Sequence, residues 1–468
     1  MKKVLVDFFK IRPGMLAKYE YPGAFGEFAR DMAEGIKLLK QELNVRESIL
    51  SQVRQIIARS EEISPEQLDW QLSHYPILSY ADHHGLLNYK LLYNANLLYN
   101  EIVKELKLPF AVVLAAGNVP LDNMSYPRGF YFKKQRFNFF GANESRSPVF
   151  LFEKKLCAVK KIGLDSFITG TAKNTLTGEE KKFLDFLFFE GLEIEKAGET
   201  YENFSDQITF LNFKLWRYYF ARSLRNSVPR LIYLQSNTVM LNILIAEIKK
   251  KDSLISKILF EPQMRRIFLK NFFGTAGCWG ENTGSQLFWG IAEKKNYKRL
   301  IRLAVNDSAN ALVGENFNLH LDSETISAAL NARKIIATLF FDYLLIAFLG
   351  GYQVLGGFNQ LEYLPQMQWA HIKSLREIGC NDLADQFAYC VTDGLICGML
   401  PCQFDSGIDL IWHYNSHDGK FNGNLDSGLT KDDLEKIRNM KVQDMVLSAV
   451  EIMLKNISTP GRELEGNF

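Results

Sequence analysis

The run FAVVLAAG, from Phe110 to Gly117, restricts the fold more than any other stretch of this 468-residue chain. It is almost continuously apolar and is bounded by Pro109 and Gly117. A strand without polar alternation has both faces covered, which is the condition of a central strand in a parallel sheet. Upstream, Pro76 to Tyr80 reads as a second buried strand, and Leu91, Ala95, Leu98, Ile102 and Leu106 recur between the two at helical spacing. A crossover of this length predicts a right-handed parallel pair. The polar tips that follow the strands, ADHHG and GNVPLDN, then emerge at one carboxyl edge, where open α/β sheets bind ligands.

The rest of the chain is organised around that unit. MKKVLVDFFKI reads as a short strand or arm, and apolar residues from Phe25 to Leu43 recur at three and four residues. Ser64-Pro65-Glu66-Gln67 predicts a helix start with a capping box. Phe130 to Phe167 suggests hairpins or an edge, and helices are expected over 178–192 and 213–222. LIYLQSNTVMLNILIAEIKKK, from Leu231, repeats the order of strand, polar tip and helix. Ile335 to Leu349 reads as a buried helix, shorter than the roughly 20 apolar residues of a bilayer span and interrupted by Asp342. Gly350 to Gln360 is a glycine-rich loop, helices are expected over 366–387 and 429–454, and FDSGIDLIWHYNSHDGKFNGN between them reads as an irregular or hairpin connection. The expected division is an N-terminal helical segment (1–70), an α/β core (71–270) and a mainly helical second region (271–468) that completes the crevice.

Charge narrows the partners. With 55 basic and 53 acidic residues the net charge is +2, unlike the footprint of a nucleic-acid binder, so a small-molecule substrate is expected, with no nucleic acid and no membrane. Assembly as a homo-oligomer stays open. Six cysteines fit reduced thiols better than a disulfide scaffold, and the first fifteen residues lack a secretory pattern, so the expectation is a cytoplasmic protein.

Candidate chemistry gathers at the two tips. Asp82, His83 and His84 place a carboxylate and two imidazoles at a strand end, suited to acid and base work near neutral pH or to a metal. Asn118, Asp122, Asn123 and Arg128 form the second tip, with Arg128 able to grip a carboxylate or phosphate in bidentate geometry. In GGFNQLEYLP, residues Asn359, Gln360 and Glu362 follow a glycine turn whose backbone can approach an anion. Cys380, Cys390, Cys397 and Cys402 lack the paired spacing of a zinc site, and His413 and His417 lie in a loop-like context. No P-loop, GxSxG elbow or full GxGxxG is present. A nucleotide is an open possibility as cofactor, and a metal is not favoured.

Two resemblances bear on function. Asp82-His83-His84 is similar to the motif of the DHH phosphoesterases, but that family needs an aspartate-rich motif upstream, which VLVDFFKIRP does not supply. The order of proline-led strand, polar glycine-containing turn, helix beginning LLNYKLLYN and second strand resembles the core of the bacillithiol-synthesis cysteine-adding enzyme family. KIIATLFFDYLLIAFLGG followed by GGFNQLEYLPQMQ is similar to that family's helix, glycine turn and following helix start. This resemblance implies a Rossmann-like parallel sheet with inserted segments and additional helical regions, a nucleotide-sized pocket, and condensation of cysteine with an amino-sugar malate. Where that family has a glutamine pair, this chain has His83 and His84, and its acidic-histidine tip is replaced by Asn118 to Asn123, which implies a shared scaffold with a changed substrate. The expected function is a small-molecule biosynthetic enzyme, ligase-like or transferase-like, that joins an amino-acid-type or other small polar group. The alternatives are a metal-dependent hydrolase or phosphoesterase using Asp82, His83 and His84, and a non-catalytic nucleotide- or metabolite-binding protein.

Overall fold

The computed structural model describes residues 8–10, 12–38, 45–57, 63–140, 146–153, 156, 176–294 and 297–457. Of the stretch 1–11 read as a strand or arm, residues 1–7 and 11 lie outside the described residues and residues 8–10 are helical; most of the reading of 141–167 also lies outside the described residues.

Five parallel strands form the central sheet. In chain order they are β1 (Ile77–Ser79), β2 (Phe110–Ala115), β3 (Arg230–Gln235), β4 (Gln353–Gly357) and β5 (Leu395–Cys397). Four of the helices around them matter for the site: α1 (Lys90–Glu105), α2 (Phe204–Tyr218), α3 (Ser236–Lys249) and α4 (Gln360–Glu377). The spatial order is β5-β4-β1-β2-β3, with Ser79 opposite Val113, Ile77 opposite Gln353, and Phe110 opposite Arg230. The expected β1-α1-β2 unit is thus present, parallel and joined by one helix.

Side-chain alternation explains why β2 carries no polar residue. Ala111, Val113 and Ala115 pack in the same core as Leu91, Leu98 and Ile102 of α1, while Phe110, Val112 and Leu114 pack with Val239, Met240 and Ile243 of α3 on the other face. Helices α1 and α2 cover the first face, and α3 and α4 cover the second. The winding direction therefore reverses between β1 and β4, and the sheet takes strands from both larger segments of the chain.

Several elements differ from expectation. Ile335–Leu349 is not one helix: Ile335–Ala337 is a strand paired with Phe288–Lys294, followed by a helix at Leu339–Tyr343 and a π-helical turn at Leu344–Leu349. A β-branched pair at Ile335 and Ile336 favours the strand, and Thr338 supplies the extended residue before the helix. The stretch from Phe404 begins as a helix at Gly407–Asn415, because the Ser406 hydroxyl accepts from Asp409 N–H at 3.1 Å, and only its end is a hairpin, Ser416–His417 with Lys420–Phe421. The Phe213–Arg222 helix is α2, which starts earlier at an Asn203 cap. Ser64 caps its helix by accepting from Gln67 N–H at 3.3 Å and its hydroxyl donates to Glu66 Oε2 at 2.8 Å, but among the described residues the Gln67 side chain does not return the bond to Ser64 N–H that would complete a box. Two small antiparallel sheets, Phe288–Lys294 with Tyr297–Arg302 and Ile335–Ala337, and the Ala304–Asn306, Ala311–Gly314, Phe317–His320 meander, lie between α3 and β4.

Candidate functional site

Past Ser79 the chain stays extended beside β2. Ala116 N–H donates to the Asp82 carbonyl and His84 N–H to the Ala116 carbonyl, both at 2.8 Å. Consecutive side chains of extended backbone diverge, and these three do. Asp82 enters the core under α1, where its Oδ2 accepts from Asn96 Nδ2 at 2.8 Å and its Oδ1 has no partner. Burial pushes this carboxyl up to about 7. His84 is also fully buried: its Nε2 lies 3.2 Å from the Ser205 carbonyl and 3.1 Å from the Ser205 hydroxyl, and its ring stacks on Tyr233. Burial holds it down to about 4, and its Nδ1 is unpartnered. The convergence of Asp82, His83 and His84 that a metal site requires is therefore absent.

His83 alone faces the second tip. Its Nδ1 lies 2.8 Å from Asn123 Oδ1 and 3.1 Å from Ser125 Oγ. Ser125 N–H, an obligate donor, also meets Asn123 Oδ1, at 3.1 Å, which fixes that atom as the amide oxygen. The ring nitrogen beside it must then carry the proton, so in the neutral imidazole the lone pair is on Nε2. Burial lowers the pKa of His83 and favours that neutral form, and the Tyr233 hydroxyl donates to the His83 carbonyl at 3.1 Å.

The remaining residues of the second tip divide. Gly117 N–H donates to Asn237 Oδ1 at 2.8 Å, and a Cβ at Gly117 would lie 2.7 Å from the Gln235 side chain, so β3 and the tip close on each other only through glycine. Asn118 is half-exposed with no polar partner among the described residues, and Asp122 points to solvent rather than toward an imidazole. Arg128 is half-buried and donates to Asn138 Oδ1 and to the Tyr126 hydroxyl, at 3.2 Å each from Nη2.

The loop after β4 leaves the sheet beside β1, since Tyr80 N–H donates to the Leu355 carbonyl at 2.8 Å. Asn359 stands at the start of α4 with a buried, unpartnered Oδ1. Gln360 is a core residue, its Nε2 donating to the Val354 carbonyl and its Oε1 accepting from the Tyr343 hydroxyl. Glu362 turns toward the N-terminal segment, where it accepts from Gly14 N–H at 3.0 Å; burial raises its pKa despite the nearby Arg12.

Sequence reasoning missed the groups that hold the tips. Asn96 and Ser125 are among them, as is a buried set in which the Tyr80 hydroxyl meets Asp342 Oδ2 at 3.1 Å and Ser236 Oγ at 3.2 Å. Asparagines at 94, 96 and 100 inside an apolar helix, and Asp342 inside an apolar run, were the available signals. Buried polar atoms are nearly always paired. Asp82 Oδ1, Gln235 Nε2, Asn359 Oδ1 and Asp342 Oδ1 are not, and they belong to the carboxyl ends of β1, β3 and β4 and to the helix packed behind them.

Other candidates do not gather chemistry. An open cavity of about 550 Å³ lies at the opposite, amino-terminal end of the strands, beside Lys104, Pro109 and Arg230, away from the tips. Among the described residues no group of three or more His, Cys, Asp or Glu side chains is arranged to hold a metal, and the five described cysteines are free. No helix among the described residues is long and apolar enough to cross a membrane. No family model matches the chain, and no curated protein matches it.

Proposed function

We propose that this chain is a cytoplasmic small-molecule biosynthetic enzyme, ligase-like or transferase-like, in which His83 is the general base. The observation that carries this reading is the fixed tautomer of His83: Asn123 Oδ1 holds the Nδ1 proton and leaves Nε2 to take a proton from a substrate nucleophile. Arg128 holds an anionic group of the substrate beside it. Read from the other edge, the order β5-β4-β1-β2-β3 matches five of the six positions of the Rossmann order 3-2-1-4-5-6, and ligands of such sheets sit where the winding reverses, here between β1 and β4. The resemblance to the bacillithiol-synthesis family implies a nucleotide-sized ligand there. The same resemblance supports a shared scaffold with a different substrate, since His83 and His84 stand in place of that family's glutamine pair. The metal-dependent hydrolase is disfavoured because Asp82, His83 and His84 have separate partners in Asn96, Asn123 and Ser205.

The test begins with thermal stabilisation by nucleotides, amino acids and sugar phosphates, since a ligand at about 100 times its dissociation constant adds about 2.7 kcal/mol. Turnover of the compounds that bind is then compared between the natural chain and His83→Gln. The expected result is a loss of about a hundredfold or more in rate with the fold intact. Equal turnover by both proteins would sink the role of His83, and binding without turnover by the natural chain would favour a metabolite-binding protein.

A further inference from the structure

We propose that Arg128 and Arg136 together bind a phosphate group of the substrate at the mouth of the His83 crevice, an inference that rests on reading that crevice as the active site. Arg136 lies on the hairpin of Gly129–Phe132 and Gln135–Asn138, directly opposite Tyr131. Its guanidinium carbon is 5.0 Å from the ring centroid of Tyr126 and 5.4 Å from that of Tyr131, and the Arg128 guanidinium carbon is 5.6 Å from the Tyr126 ring. The two cations therefore share one aromatic ring.

This cluster is built onto the turn that holds the base. The Tyr131 hydroxyl donates to the Met124 carbonyl at 3.0 Å, between Asn123 and Ser125, the two residues in contact with His83 Nδ1. From the other side, a Cβ on Gly85 would lie 2.7 Å from Pro127 Cα, so the Asp82–Gly85 tip presses directly on the same turn. Tyr126 has φ of 59°, in the left-handed region where a bulky side chain is a genuine outlier, and it is held there by Tyr126 N–H to the Asn123 carbonyl (2.8 Å) and Gly129 N–H to the Tyr126 carbonyl (3.1 Å). That strained residue carries the ring around which both arginines gather.

Neither guanidinium meets a carboxylate among the described residues. Arg128 donates only to neutral oxygens, Asn138 Oδ1 and the Tyr126 hydroxyl. Two planar, permanently charged forks match the near-dianionic charge and the several acceptor oxygens of a phosphate; a carboxylate would be satisfied by one of them.

Pyrophosphate is the probe, titrated calorimetrically against the full chain. The natural protein is expected to bind it, Arg128→Gln and Arg136→Gln each weakening binding by about tenfold or more. Arg136 is exposed, so its variant keeps the melting temperature of the natural protein and stays informative if Arg128→Gln fails to fold. Binding is read without turnover, so a failure of the base assignment would leave this result standing. The proposal is overturned if pyrophosphate does not bind at millimolar concentration, if Arg136→Gln binds it as tightly as the natural protein, or if succinate binds as tightly as pyrophosphate.

Discussion

Asp82, His83 and His84 are adjacent in sequence and have different chemical fates, because each meets a different element: Asp82 meets Asn96, His83 the Asn123–Ser125 turn, and His84 Ser205. His84→Ala is accordingly expected to lower the melting temperature as a core cavity does, whereas His83→Gln leaves it nearly unchanged. The motif was legible as a polar tip at a strand end. Which imidazole could act was not, since the choice is made by residues some forty and more than a hundred positions away. A more extreme case is His371 on α4, fully buried with both ring nitrogens unpartnered and ringed by Phe268, Phe272, Phe340, Phe348 and Phe387 at centroid distances of 4.5 to 5.9 Å. An unsatisfied buried polar group costs about 1–3 kcal/mol, so His371→Leu is expected to stabilise the chain by an amount in that range, measured as the denaturant midpoint. A destabilised His371→Leu would mean that the imidazole fills the aromatic cage in a way an aliphatic side chain of similar size does not.

At the scale of elements, the β1-α1-β2 unit was readable because its two periods, apolar runs for the strands and helical spacing for α1, are unambiguous over their length. The antiparallel strands between 288 and 320 were not read, although Asn306-Asp307 and Glu315-Asn316 mark their turns; strands of three to seven residues give too little alternation to separate them from loop. The glycine pair of GGFNQ was read as a turn that a ligand could approach, but both glycines are the last residues of β4, and Gly356 instead admits a side chain of the protein itself. A Cβ there would lie 1.8 Å from Gln360 Oε1 and 2.0 Å from its Cδ. Gln360 cannot swing aside without giving up Val354 and Tyr343, the latter also bonded to the Tyr363 hydroxyl at 2.8 Å. Gly356→Ala is therefore expected to cost about 2–4 kcal/mol, from overpacking and from polar groups left unpaired. An unfolding midpoint equal to that of the natural chain would show that the strand end yields without disturbing Gln360.

Across the whole molecule, burial acts on acids and bases in opposite senses, and the stability of the chain against pH records the difference. Asp82 and Asp342 are each pushed up from 3.8 to about 7 by burial. Between those values the folded chain keeps protons that the unfolded chain releases, so their contribution to stability falls as pH rises, and levels off above about 7. His84 and His371 are pushed down from 6.5, to about 4 and about 3, again by burial. Below 6.5 the unfolded chain takes up protons that the folded chain refuses, so their contribution falls as pH drops. Over pH 4 to 6.5 two protons bound by the folded acids oppose two bound by the unfolded bases, and the slopes from these four groups offset. Substitution separates them. Asp342→Asn, which keeps an oxygen for the Tyr80 hydroxyl, should gain on the natural chain as pH rises from 5 to 7, at up to about 1.4 kcal/mol per unit, and hold a constant difference above about 8. His371→Leu should gain in the other direction, its advantage growing as pH falls from 7 to 4. Denaturant midpoints at pH 5, 6.5 and 8 for the three proteins decide the matter: differences that do not change with pH would mean that these buried groups titrate alike in the folded and unfolded chains.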